Sequence, residues 1–373
     1  MGKSEANLLL SDIGQVLGKA LPANVLVCRC PHYEFALLLT KESSLNAVKI
    51  TERLKAELQS IASTTIPPQL ELKCGVGLAN VDDLTQSADV LLARARHNLS
   101  QYYYLQDFDN PNPFLVSIDS ETVLKGIQTG LREDSFRLSF QPIVSLKDDE
   151  REHYEVRCAA PESFAAIPTS AMFEYAVLNA FGEPIDRWVI RQVFRLFQFG
   201  RKANLQLTIN LSQNSLVSAD FFPWLQAELK EYPGIREHVI FQVSELDILI
   251  SQHHMTFFCQ QLADLQLTLS VSHFGCTADP FRYLPLISAH RVKLDVSLLE
   301  RINESANRRK LLAETVAKLH EHGLRVTAAM VEQMLLLPLL WRANVNFVQG
   351  NCFQAPTDYM NFQFNQRFSL SVH

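Results

Sequence analysis

From residue 136 to residue 354, short β-branched or apolar runs that end in polar or acidic residues alternate with stretches whose apolar positions recur at i, i+3 and i+4. The runs fall at 138–145, 153–159, 206–211, 239–244, 267–274, 291–296, 325–329 and 346–349. Most are separated by a helical pattern long enough to carry the chain back over a sheet, which parallel strands require. Eight such units predict a closed (β/α) barrel, a fold that carries its chemistry at the carboxyl ends of the strands. Only the charged turn Lys147-Asp148-Asp149-Glu150-Arg151 lies between the first two runs. A gap that short predicts a hairpin, hence one antiparallel strand in an otherwise parallel barrel.

Ahead of the barrel the pattern is that of a small α/β unit, with helices predicted at 8–21, 45–61 and 87–103 and strands at 25–28, 35–39 and 71–78. Pro67-Pro68 and Asn110-Pro111-Asn112-Pro113 interrupt it, and the second cluster marks the expected domain boundary. The expected organisation is a first domain over 1–110, a linker and leading helix over 111–135, a barrel over 136–360 and a tail over 361–373. The apolar pairs Phe221-Phe222 and Phe257-Phe258 sit at helical spacing and are expected in the core or at an interface.

Composition narrows the classes. A chain of 373 residues that is 47% hydrophobic and 20% charged is globular, and its formal net charge of −6 gives no pull toward nucleic acid. Its seven cysteines are scattered, with no C-x-x-C pair, which fits a reducing cytoplasm. Neither a signal-peptide pattern nor an apolar run of the ~20 residues needed by a membrane helix is present, so a cytoplasmic protein without membrane insertion is expected.

The strand ends carry two kinds of residue. Glu155, Asn210, Lys293, Asp295, Glu332 and Gln349 are suited to gripping phosphate or metal; Gln242, Ser272, His273 and Ala329 are not. A barrel that cleaves a phosphodiester commonly holds two divalent cations ~3.5 to 4 Å apart, and hard cations of the Mg²⁺ type ask for several anionic oxygens. Too few carboxylates converge here for that.

Gln141-Pro142-Ile143-Val144, Tyr154-Glu155-Val156, Ile185-Asp186-Arg187-Trp188-Val189, Ile209-Asn210-Leu211-Ser212, Phe274-Gly275, Lys293-Leu294-Asp295 and Val348-Gln349-Gly350 together resemble the motif series of EAL domains, the barrel phosphodiesterases of cyclic di-GMP. The resemblance implies a TIM barrel in which Glu155 and Asn210 match metal ligands, Lys293 matches the base, and Gln242, Ser272, His273 and Ala329 replace the remaining ligands. It further implies cyclic di-GMP contacts by Gln141, Glu155, Asp186, Asn210, Asp295, Glu332 and Gln349, without the arginine expected four residues after the signature glutamate, where Ala159 stands. Arg157, on the same strand face as Ala159, is a candidate replacement. The first domain is similar to a GGDEF, or diguanylate cyclase, domain that is shortened and degenerate: Pro31-His32-Tyr33-Glu34-Phe35 stands in place of the signature, so both loop glycines and the metal aspartate are missing.

Within the family, His153-Tyr154-Glu155-Val156, Phe241-Gln242-Val243, Ser272-His273-Phe274-Gly275-Cys276 and the segment from Leu340 to Gly350 look most like the FimX-type regulators of type IV pili and twitching motility. The fold class expected is therefore α/β, a truncated GGDEF domain followed by an EAL-type (β/α)8 barrel, with neither domain an active enzyme and no cofactor or metal. The resemblance implies a cyclic di-GMP receptor that docks a PilZ-domain adaptor; a homodimer that completes the shortened first domain, or a chain that is part of a longer protein, is the corollary. Two alternatives stand beside it, a nucleotide-independent interaction module and residual phosphodiesterase activity with His273, Glu155 and Asn210 holding one metal. A structural reading also stands, in which Glu155 and Lys293 form a buried ion pair.

Overall fold

The computed structural model describes residues 120–364 except 148, 166, 168, 200–203, 278–279 and 300, together with 13–15, 17–18, 21, 25–30, 34–39, 92 and 95. The chain divides into two compact units. In the first, strands β1 (Leu26–Cys30) and β2 (Glu34–Leu38) form an antiparallel hairpin in which Leu26 faces Leu38 and Cys30 faces Glu34. Ile13 and Leu17 of the predicted first helix are buried with Val27, Phe35 and Leu37 packed on them. The elements expected at 45–61 and 71–78 lie outside the described residues, as do Pro31, His32 and Tyr33; of the helix expected at 87–103 only residues 92 and 95, both helical, are described.

The second unit is led by helix α1 (Ser120–Arg132), as the pattern predicts, and is a closed barrel. Its strands are β3 (Arg137–Ser145), β4 (Glu152–Ala159), β5 (Leu205–Asn210), β6 (Val239–Ser244), β7 (Thr268–Phe274), β8 (Arg291–Leu294), β9 (Arg325–Ala328) and β10 (Phe347–Val348), in that order around the ring, with β10 closing on β3. Strand β3 pairs antiparallel with both β4 and β10, and every other pairing is parallel. The short charged turn is thus a hairpin, and the (β/α) unit it displaces is the first. Helices α2 (Thr169–Leu178), α3 (Gly182–Phe199), α4 (Gln213–Val217), α5 (Phe221–Glu231), α6 (Glu245–Ile250), α7 (Gln252–Asp264), α8 (Ala306–Glu321) and α9 (Leu337–Arg342) follow the strands. Among the described residues none is long and apolar enough to cross a membrane.

Strand alternation separates two sets of side chains. Tyr154, Val156, Leu207, Ile209, Phe241, Val243, Leu269, Val271, Val292, Leu294, Val326 and Ala328 are buried in one continuous apolar core. Phe221, Phe222 and Phe258 join it, while Phe257 is exposed. The intervening positions include His153, Glu155, Gln206, Thr208, Gln242, Ser270, Arg291, Lys293 and Thr327, all buried and all polar. Most parallel barrels fill that interior with branched apolar residues. Here a polar layer occupies it, and its groups must satisfy one another.

Strand bounds shift by a residue or two, and one shift matters for the site. Residues 291–296 do not form one strand: β8 ends at Leu294, and Asp295 instead caps the turn that follows by accepting from Ser297 N at 3.0 Å. Residues 361–364, the start of the expected tail, touch the barrel: Phe362 N donates to Tyr154 Oη at 3.1 Å and Phe364 packs edge-on to the Tyr154 ring.

Gly350 holds the last strand end against its neighbour. Val331 N donates to Gln349 O, and a Cβ on Gly350 would lie 1.9 Å from Val331 O. Only backbone stands there, so no side chain can yield. Gly350→Ala is therefore expected to lower stability by about 2 to 3 kcal/mol through forced backbone displacement; denaturant unfolding of the variant measures it, and an unchanged midpoint would contradict this packing.

Candidate functional site

Parallel strands β4 and β5 and the ends of β6, β8 and β10 bring one carboxylate to the middle of the barrel. Glu155 is 4% exposed, and Lys293 Nζ lies 2.6 Å from its Oε1. Gln242 Nε2 and Asn210 Nδ2 also donate to Oε1, at 3.0 and 3.2 Å. Gln349 Nε2 donates to Oε2 at 2.7 Å, and Arg157 Nη2 stands 3.6 Å from the same oxygen. Gln242 also donates to Asn210 Oδ1 at 2.7 Å, while Ser270 Oγ supports Gln242 Oε1 from below at 3.3 Å. Around the rim, Gln141 Oε1 accepts from Arg157 at 2.7 Å and from Gln349 at 3.2 Å, and its amide reaches Asn351 and the Gln354 carbonyl.

Burial by itself would push the Glu155 carboxyl up. The charges of Lys293 and Arg157, with hydrogen bonds from Lys293 and Gln349, outweigh it and hold the group well below the usual carboxylate range. Burial pulls Lys293 down, and Glu155 pulls it back. The arrangement is a saturated ion pair.

The other sequence-derived candidates are placed around this network without all joining it. Asp295 Oδ2 lies 3.3 Å from His273 Nδ1; burial opposes its ionisation, yet His273 and the Ser297 amide hold it lowered. Asp186, on α3, is buried away from the network: its Oδ2 accepts from Ser212 N, Ser212 Oγ and Ser215 Oγ at 2.8, 2.6 and 2.7 Å. Burial pushes its carboxyl up to about 7 despite those donors. Its visible work is to pin the segment after β5. Glu332 is exposed on the segment after β9. Glu245 accepts from Gly275 N at 2.7 Å, from Thr277 N at 3.1 Å, from Thr277 Oγ1, and from Tyr283 Oη at 3.3 Å, so it anchors the segment after β7.

Sequence reasoning did not foresee Ser270, Asn351 and Gln354 in the network. The spacing of Ser270 from Ser272 puts both on the inward face, which was the available signal. Two non-glycine residues at the rim hold left-handed backbone, His273 at φ 55° and Met330 at φ 57°, beside Gly275 at φ 95°.

A pair of divalent cations does not fit this donor set. Glu155 is the one carboxylate in the network, its neighbours are amides and hydroxyls, and an ammonium already lies 2.6 Å from it. Ser272 Oγ donates to the Val243 carbonyl, and Ala329 has no donor atom in its side chain. His273 faces Asp295, so the single-metal set of His273, Glu155 and Asn210 is not assembled; among the described residues no cluster of three His, Cys, Asp or Glu could hold a metal ion.

Fold and motif order converge with comparison to known proteins: the chain belongs to the EAL-domain family of cyclic di-GMP signalling, matched over residues 125–356, and its residues 1–103 match the diguanylate cyclase GGDEF domain. Among solved structures, the FimX EAL domain from Pseudomonas aeruginosa bound to c-di-GMP is 31% identical with a TM-score of 0.62, covering 65% of this chain and 99% of that one. The GGDEF-EAL portion of Vibrio cholerae LapD shares the fold over 91% of this chain and 81% of its own, with a TM-score of 0.60 and 16% identity. Curated relatives include a 76.5 kDa protein of Thiocystis violacea, 22% identical over 98% of this chain and 53% of the relative. Another is the cyclic di-GMP phosphodiesterase NbdA of Pseudomonas aeruginosa, 22% identical over 95% of this chain and 46% of the relative. The chain spans about half the length of these curated relatives.

Removing the cation from the network tests its character. Lys293→Met leaves Glu155 buried without its ammonium partner and is expected to cost about 3 to 5 kcal/mol, whereas Lys293→Met combined with Glu155→Gln recovers most of that loss. Chemical denaturation of these two variants and of Glu155→Gln alone reads the coupling; a Lys293→Met variant as stable as the parent would show that the two charges do not depend on each other.

Proposed function

We propose that the barrel is a receptor for cyclic di-GMP that does not hydrolyse it. The observation that carries this reading is that Glu155 is met by the amides of Gln242, Asn210 and Gln349 and by the Lys293 ammonium, with no second carboxylate in the network to hold a cation beside it. Metal-assisted hydrolysis needs a polarised water and neutralisation of the developing charge; recognition needs only hydrogen bonds, charge and stacking. Gln141, Asn210, Asp295, Glu332 and Gln349 supply polar groups on or beside the carboxyl ends of the strands, and Asp186 shapes the segment after β5. Arg157 takes the phosphate-contact role that Ala159 cannot, since its side chain is 40% exposed and leans over Gln141 and Glu155. Likeness to a FimX EAL domain that binds c-di-GMP supports the assignment.

The finer role follows the same resemblance: control of type IV pili or twitching motility through a PilZ-domain adaptor, with the GGDEF-like unit as scaffold and a homodimer as the working form in the cytoplasm. A nucleotide-independent interaction module is the second reading. It is favoured by Ala159 and by the hydrogen bond that already engages Arg157 with Gln141.

Calorimetric titration of cyclic di-GMP into the full chain, run beside a hydrolysis assay with Mg²⁺ and Mn²⁺, tests these readings together. Saturable binding without turnover is expected, with Arg157→Ala weakening it roughly thirty- to hundredfold, the worth of about 2 to 3 kcal/mol for a lost charged contact. A flat titration at high micromolar ligand would transfer the assignment to the interaction module. Turnover at ordinary enzyme rates would overturn the receptor reading.

A further inference from the structure

Residues 351–364 leave the last strand as a strap, and they are fastened to the same two strands that carry Gln141 and Glu155. Strand β10 pairs with only Val144 and Ser145 of β3, and farther along that strand Phe140 takes another neighbour: its N donates to Thr357 O at 2.7 Å, and Thr357 N donates to Phe140 O at 3.1 Å. On β4, Phe362 N reaches Tyr154 Oη at 3.1 Å, and Phe364 packs on the same ring. Phe140 and Tyr154 each stand next in sequence to a member of the network, Gln141 and Glu155, and strand alternation turns them to the opposite face. One strap therefore backs both network residues.

The link from the site to the strap is Gln141. Its amide is fully used: Oε1 accepts from Arg157 Nη2 at 2.7 Å and from Gln349 Nε2 at 3.2 Å, while Nε2 donates to Asn351 Oδ1 at 3.2 Å and to the Gln354 carbonyl at 3.4 Å. A guanidinium only donates and a backbone carbonyl only accepts, so Arg157 on one side and Gln354 on the other permit the amide a single orientation. At the strap end these bonds are long. Gln354 itself is only partly satisfied, since its Nε2 donates to Asn361 Oδ1 at 2.8 Å but its buried Oε1 has no partner among the described residues. The strap thus hangs on few bonds, and one amide at its root supplies two of them.

We propose that the strap reports the state of the rim, so that residues 351–364 loosen when Arg157 leaves Gln141. The trigger rests on the receptor reading: an anionic phosphate oxygen competes for a guanidinium more strongly than a neutral amide oxygen does. Gln141 then loses its closest partner and the constraint on its orientation, and its N–H groups can turn toward the phosphate. The bonds to Asn351 and Gln354 are what it gives up. Coupling between two sites is reciprocal, so a change that loosens the strap also favours the ligand.

Hydrogen exchange of the full chain, followed by mass spectrometry over residues 351–364 with α5 as a remote control, tests the link. In nucleotide-free protein, Arg157→Ala should speed exchange of the strap about fivefold, the worth of the bonds at its root, and leave α5 unchanged. Saturating cyclic di-GMP should do the same to the unsubstituted chain. Tyr154→Phe removes the oxygen that accepts from Phe362 N and keeps the ring; it should speed strap exchange and tighten nucleotide binding about threefold in a calorimetric titration. A flat titration beside a strap that Arg157→Ala still loosens would uphold the link and sink the receptor reading alone. Saturable binding over an unmoved strap, or a strap indifferent to Arg157→Ala, would overturn the proposal.

Discussion

An ammonium and a carboxylate 2.6 Å apart in the middle of a barrel constrain everything around them. Neither Glu155 nor Lys293 can be removed alone without leaving a buried charge, and neither can be shared with a cation that repels the ammonium. The amides of Gln242, Asn210 and Gln349 are oriented by this pair, each with a donor on a carboxylate oxygen. Gln349 passes the constraint to Gln141, and Gln141 passes it to Arg157. The rim is thereby held in one arrangement, with one arginine partly in solvent and the remaining groups locked.

The same constraint accounts for the barrel's interior. Since the inward positions carry His153, Gln206, Thr208, Ser270, Arg291 and Thr327 rather than branched apolar residues, cohesion comes from the apolar shell between strands and helices. Polar interiors are stable only when nearly every group is paired. Around Glu155 that condition is met. At the amino end it is not, and Arg291, His153 and Gln206 keep unanswered atoms.

Much of this was legible in the chain. Strand number, the antiparallel opening strand and the replacement of acidic strand ends by Gln242 and Ser272 follow from period, turn length and residue type, all local properties. Glu155 and Lys293 could be named as partners because both fall at inward strand positions of a recognisable motif series. What the sequence hid was long-range. That one oxygen of Asp186 accepts from three hydroxyl and amide donors of the segment after β5 is set by how α3 packs, which no local pattern shows. Asp295 was read as strand and is a cap, because β8 stops at Leu294, two residues sooner than expected. The charged turn at 147–151 announced a hairpin, but nothing in it announced that Asp149 would clamp Arg325 from 176 positions away.

Direct titration of Mn²⁺ into metal-free protein, followed by the loss of the free-ion paramagnetic resonance signal, tests the central claim that the donor set around Glu155 holds no pair of cations. The account predicts no stoichiometric uptake at micromolar Mn²⁺, with or without cyclic di-GMP. Two tightly held ions per barrel, lost in Glu155→Gln, would contradict it.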